Sequence, residues 1–120
     1  MFRRDEGDDS MLIYKICDAA LWAETEAQGE MAGAPIDLAD GFIHFSTAEQ
    51  VHETAAKHFA GQGDLLLLGI EADALGDALK WEASRGGALF PHLYRTLRRD
   101  EVLWARPMPL REDGTHGIEL

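Results

Sequence analysis

The chain is poor in cysteine. Its one thiol, Cys17, allows neither an internal disulfide nor a four-ligand cysteine zinc site, which fits a reducing, cytoplasmic setting. Positive charge is scarce as well: 11 Lys and Arg against 22 Asp and Glu leave a net charge of −11. A field of that sign repels duplex nucleic acid and anionic membrane surfaces, although a local basic pocket remains open to a small anion. No apolar run approaches the ~18 residues that cross a bilayer. The opening MFRRDEGDDS lacks the apolar core of a signal peptide and reads as a disordered tail over residues 1–10, with Met11 an alternative start. G-x-G-x-x-G, P-loop and G-x-S-x-G patterns are all absent, which removes the common dinucleotide, phosphate and hydrolase signatures. The 120 residues suffice for one core, placed at 11–108, with a polar C-terminal tail over 109–120.

Against these absences stands the stretch Asp40 to Gln50, DGFIHFSTAEQ. Phe42, Ile43 and Phe45 make a short apolar strand, and Ser46 opens S-T-A-E, a capping box in which Ser46 and Glu49 exchange hydrogen bonds with each other's amides. The pattern predicts a helix from about Thr47 to about Ala60, with Ala48, Val51, Ala55 and Phe59 on its buried side. His44 then lies at a strand-to-helix junction, either satisfied in the core or aimed into a cleft. Such junctions attract anions because free helix amides point outward there.

The rest of the chain reads as interleaved short elements. LIYKIC is a first strand, and Asp18 caps a helix over about 19–27 with Leu21 and Trp22 inward. Residues 29–35 form a loop, 41–45 a second strand, and Leu65 to Ile70 a central strand covered on both faces. A turn or short helical piece follows at 73–77, then a strand at 79–83, a Gly-rich loop at 84–91 and a last strand at 101–105. The fold class is α+β with a mostly antiparallel sheet, because the regular cadence of a parallel sheet is missing.

Three clusters carry chemistry. His44, Ser46 and Thr47 form the first. Lys80, Trp81 and Glu82 form the second, where the indole dries the carboxylate and raises its pKa. The third is Phe90 to Arg95, FPHLYR, which sets His92, Tyr94 and Arg95 beside a rigid proline. Arg85, Arg95, Arg98 and Arg99 are the densest positive charge and suit an anionic ligand. Each cluster has a structural reading too: a helix cap, a core tryptophan, a carboxylate paired with arginine, a solvated basic face. Cys17 reads as inert core. His52 and His58 stand six apart and share no helix face, so no metal site is assigned.

The blocks IYKI, DGFIHFSTAEQ, KWEASRGG and FPHLYR, in this order over about 12–107, resemble domain-of-unknown-function family 952, small bacterial proteins similar in fold to the ADP-ribosyltransferases. Residues 43–75 also resemble the RNA 2′-phosphotransferases, with His44 matching the family histidine, Lys57 and His58 near its basic pair, and Lys15 at the position of its first-strand cation. The resemblance implies a split antiparallel sheet and a cleft lined by His44, Ser46, Glu82, His92 and Tyr94. It implies NAD or a related nucleotide as ligand and substrate, and transfer or cleavage of ADP-ribose. His44 would hold a ribose hydroxyl or phosphate, Tyr94 would stack on nicotinamide, and Glu82 (Glu71 being the alternative) would stabilise the developing positive charge. Lys15, Thr47, Arg85 and Arg95 complete the expected ligand contacts. The competing reading is a non-catalytic module for a small anionic ligand or a protein partner.

Overall fold

The computed structural model describes residues 11–120, apart from the side chain of Arg85; the N-terminal tail expected over 1–10 lies outside the described residues. The element order is β1 (Leu12–Asp18), α1 (Ala19–Gln28), β2 (Glu30–Met31), α2 (Pro35–Asp40), β3 (Ile43–His44), α3 (Val51–His58), β4 (Leu65–Glu71), β5 (Leu79–Ala83), β6 (Leu89–Leu93), β7 (Leu97–Arg98) and β8 (Val102–Met108). All pairings are antiparallel. A main sheet has the order β1-β4-β8, a small sheet β3-β6-β5, and β2 pairs with β7. The mixed α+β class read from the sequence is the class observed.

The main sheet is built on β4, whose LLLLGIE run suits a strand buried on both faces. One face packs Ile13, Leu68 and Ile70 against Ile43 and Leu93 of the small sheet. The other packs Tyr14, Ile16 and Leu67 against Val51 and Ala55 of α3. Gly69 lies between Tyr14 and Trp104 in register, and a Cβ there would stand 2.4 Å from the indole, so only glycine admits this ring. Asp18 caps α1 as expected, accepting from the Leu21 amide at 2.7 Å, and Gly29 ends the helix in the left-handed region at φ 85°.

Five expectations need correction. The loop expected over 29–35 contains β2 and the start of α2, a helix opened by Pro35 and closed by Gly41. The loop expected over 84–91 ends early, because Leu89–Leu93 is the middle strand of the small sheet. Pro91 argues against a central strand because it has no N–H to donate, yet its carbonyl is used, accepting from the Phe45 amide at 3.0 Å. Helix α3 begins at Val51 rather than Thr47. Ser46 is held extended by two backbone bonds to Tyr14 (2.8 and 2.9 Å), so the turn slips by one residue and Gln50 Oε1, not Glu49, reaches back, accepting from the Thr47 amide at 3.0 Å. Trp81, expected in the core, is exposed on the edge strand β5. Strand β8 extends to Met108, and the polar tail folds back so that His116 is buried against the Gln62 carbonyl at 2.7 Å.

Candidate functional site: two carboxylate-held histidines beside a cleft

The small sheet has one apolar face and one polar face, as the alternation of a strand requires. Ile43, Leu79 and Leu93 point to the core, whereas Phe42, His44, Glu82, Phe90, His92 and Tyr94 fall on the other side. His44 and His92 are cross-strand partners, with ring centroids 5.5 Å apart and planes at 68°. Phe42 lies against both rings and stacks on His92 at 4.1 Å. Where Ser46 bridges to Tyr14, the small sheet meets the edge of the main sheet, and a cleft of about 1020 Å³ opens there. Lys15, Cys17, His44, Ser46, Phe90 and His92 are among its lining residues.

Each histidine is oriented through Nδ1 by a carboxylate. His44 Nδ1 lies 2.7 Å from Asp37 Oδ1, and its Nε2 lies 3.0 Å from Asp40 Oδ2. His92 Nδ1 lies 2.7 Å from Glu82 Oε1, which also accepts from the Tyr94 hydroxyl at 2.7 Å. Asp37 is the hub. Only 2 % exposed, it also accepts from Lys15 Nζ at 2.8 Å, from the Ala34 amide at 2.7 Å and from the His44 amide at 3.1 Å. Burial pushes its pKa up, but the bond from His44 and the charge and bond of Lys15 outweigh this and hold it at about 2. The Lys15 ammonium, 5 % exposed on the core-facing side of β1, is tolerated because that carboxylate lies against it.

Glu82 departs from expectation. Its pKa is lowered, not raised, by the hydrogen bonds from Tyr94 and His92, and Tyr94 is raised in turn by its bond to Glu82. Trp81 cannot dry this carboxylate, because neighbours along a strand point to opposite faces. Burial pushes the Cys17 thiol up to about 12, which keeps it a thiol although it lines the cleft.

The expected residues divide into three groups. Lys15, His44, Ser46 and His92 line the cleft together. Glu82 and Tyr94 are joined to His92 but are not among the lining residues, and Thr47 is buried in the turn before α3. Arg95 is engaged elsewhere, donating to both oxygens of Glu101 at 3.0 and 2.8 Å. Arg98 pairs with Asp100, and Arg99 lies over the Trp22 ring and beside Glu26. The chain's own acids thus occupy the basic cluster expected to receive an anion. Arg85 starts a short turn, and its side chain lies outside the described residues. Lys57 and His58 line the cleft from α3, with Lys57 paired to Glu53 at 3.1 Å. Among the described residues, no group of three or more His, Cys, Asp or Glu is arranged to hold a metal.

Sequence reading missed Asp37, Asp40 and Phe42. In a chain with 22 acids, neither aspartate carries a local mark of burial or of a histidine partner.

No curated protein matches the chain. Among solved structures it is similar to the crystal structure of protein CC0527 from Caulobacter crescentus, with 56% identity, a TM-score of 0.86 and coverage of 88% of this chain and 93% of that one. It is likewise similar to the solution NMR structure of CC0527, with 57% identity, a TM-score of 0.79 and coverage of 87% and 90%. The family described as "Protein of unknown function (DUF952)" matches residues 16–105, and the chain belongs to that family.

Proposed function

We propose that the cleft binds NAD or a related nucleotide and transfers or cleaves its ADP-ribosyl group. The observation that carries this reading is the pair of carboxylate-held imidazoles, 5.5 Å apart, in the wall of a cleft of about 1020 Å³. That volume lies at the upper end of small-molecule sites, about 300–1,000 Å³. The resemblance to ADP-ribosyltransferases supports the same ligand. Cleavage of the nicotinamide bond builds positive charge on the ribose, and the carboxylates of Asp37, Asp40 and Glu82, behind the two imidazoles, place negative charge near it. His92, with Nδ1 tied to Glu82, offers Nε2 to a ribose hydroxyl. Glu82 therefore acts through His92, and Tyr94, outside the cleft lining, holds Glu82 in place. A non-catalytic module is the second reading, favoured by the position of Glu82 outside the cleft lining.

A thermal-shift series with NAD, ADP-ribose and nucleoside monophosphates tests binding. A ligand at 100 times its Kd stabilises the fold by about 2.7 kcal/mol. Chromatography for released nicotinamide separates the two readings, since binding without release supports the module. No shift with any nucleotide, and no change in the His44 or His92 ring resonances, overturns the nucleotide reading.

A further inference from the structure

Cleavage of a nicotinamide glycosidic bond needs no proton donor, because nicotinamide departs as a neutral base. The two imidazoles nevertheless have different hydrogen-bond partners. Both nitrogens of His44 face carboxylate oxygens, Asp37 Oδ1 at 2.7 Å and Asp40 Oδ2 at 3.0 Å. An ionised carboxylate only accepts, so this arrangement is satisfied by a ring carrying hydrogen on both nitrogens. His92 differs. Its Nδ1 donates to Glu82 Oε1, and among the described residues no group engages its Nε2, which leaves that lone pair for the cleft its ring lines. One ring is thus engaged at both nitrogens and its cross-strand neighbour at one.

A cation completes the set. Lys15 lines the same cleft, and Asp37 is the one side-chain partner of its ammonium among the described residues, although the group has three hydrogens to donate. The other N–H bonds suit a phosphoryl oxygen.

We propose that this cleft also hydrolyses nucleoside 2′,3′-cyclic phosphates, with His92 as general base and His44 as general acid. His92 Nε2 takes a proton from water as the water oxygen bonds to phosphorus. The bond from phosphorus to one ribose oxygen breaks, and His44 Nε2, released from the half-exposed Asp40, protonates that oxygen. The product is a nucleoside phosphomonoester, and proton exchange with solvent resets both rings. Nothing is oxidised or reduced. The cyclic diester is the favoured class for two reasons: its strained ring opens with acid and base assistance alone, and its single negative charge is the least repelled by a chain of net charge −11. This activity shares the cleft with the nucleotide reading but uses no NAD, so either can fail alone.

The test incubates the purified protein with adenosine and cytidine 2′,3′-cyclic phosphates, without NAD and with a chelator, and follows the monoester by phosphorus NMR. Turnover is expected, falling about 10²–10⁴-fold in His92→Ala and in His44→Ala. No monoester from the wild type overturns the proposal, as does activity that survives in both variants. A second measurement does not depend on the variants folding. Nitrogen NMR of the wild-type imidazoles at neutral pH is expected to show His44 protonated on both nitrogens and His92 on Nδ1 alone. Rings in the same state overturn the assignment.

Discussion

Strands β1, β4 and β8 of the main sheet each run seven residues, whereas β3 and β6 of the small sheet run two and five. The longer strands bury apolar side chains on both faces of β4, beneath α3 on one side and against the small sheet on the other. The small sheet gives the core only one face, so its other face is free to carry imidazoles, a phenol and carboxylates. Apolar packing on both faces thus belongs to one sheet and a polar, titratable face to the other. Asp37 joins them, receiving the Lys15 ammonium of the main sheet and the His44 ring of the small sheet.

The largest effect is expected at that joint. Asp37→Ala leaves the Lys15 ammonium buried without its partner and should cost about 3–5 kcal/mol in urea unfolding. A loss below about 1 kcal/mol would mean that the two sheets hold together without it. The same carboxylate sets an acid limit. Because its folded pKa is about 2, below the ordinary 3.8, its contribution is complete above about pH 4 and is lost as pH falls through about 2. The wild type should lose stability across that window, and Asp37→Ala should lack this part of the loss.

Within the main sheet, Gly69→Ala drives a methyl group into the Trp104 indole and should cost about 1–3 kcal/mol. A neutral result would show that the indole can move aside. The smallest effect on stability is expected on the small sheet. Glu82→Gln should leave the melting temperature close to wild type, because the carboxylate is 40 % exposed, while moving the His92 ring resonances through the altered bond to Nδ1. A large loss of stability there would break the division between the two sheets.

Much of the fold was legible locally. The apolar runs of β1 and β4, the Asp18 cap and the strand at 79–83 each depend on neighbours within a few residues, and the structure contains all of them. The slipped turn at Thr47 was not legible. S-T-A-E and T-A-E-Q both fit the pattern, and only the pairing of Ser46 with Tyr14, 32 positions away (46 − 14), chooses between them. Strand β6 was hidden by Pro91, whose missing N–H counts against a central strand until the partner that uses its carbonyl is known. Of the site, HFST and FPHLYR suggested that His44 and His92 share a cleft, and the register of β3 and β6 makes them direct neighbours.

The sequence by itself determined an acidic chain of the α+β class, because composition and short-range periodicity are written residue by residue. Only the tertiary structure decided which of 22 acids serve the histidines. Asp37 and Glu82 are chosen by burial and by cross-strand geometry. Glu82 lies ten positions before His92 and Asp37 seven before His44, spacings that no helical or strand period brings into contact. Sheet pairing and the fold of α2 close those gaps, and low exposure makes the Asp37 partnership necessary, since a carboxylate removed from water is stable only where donors surround it.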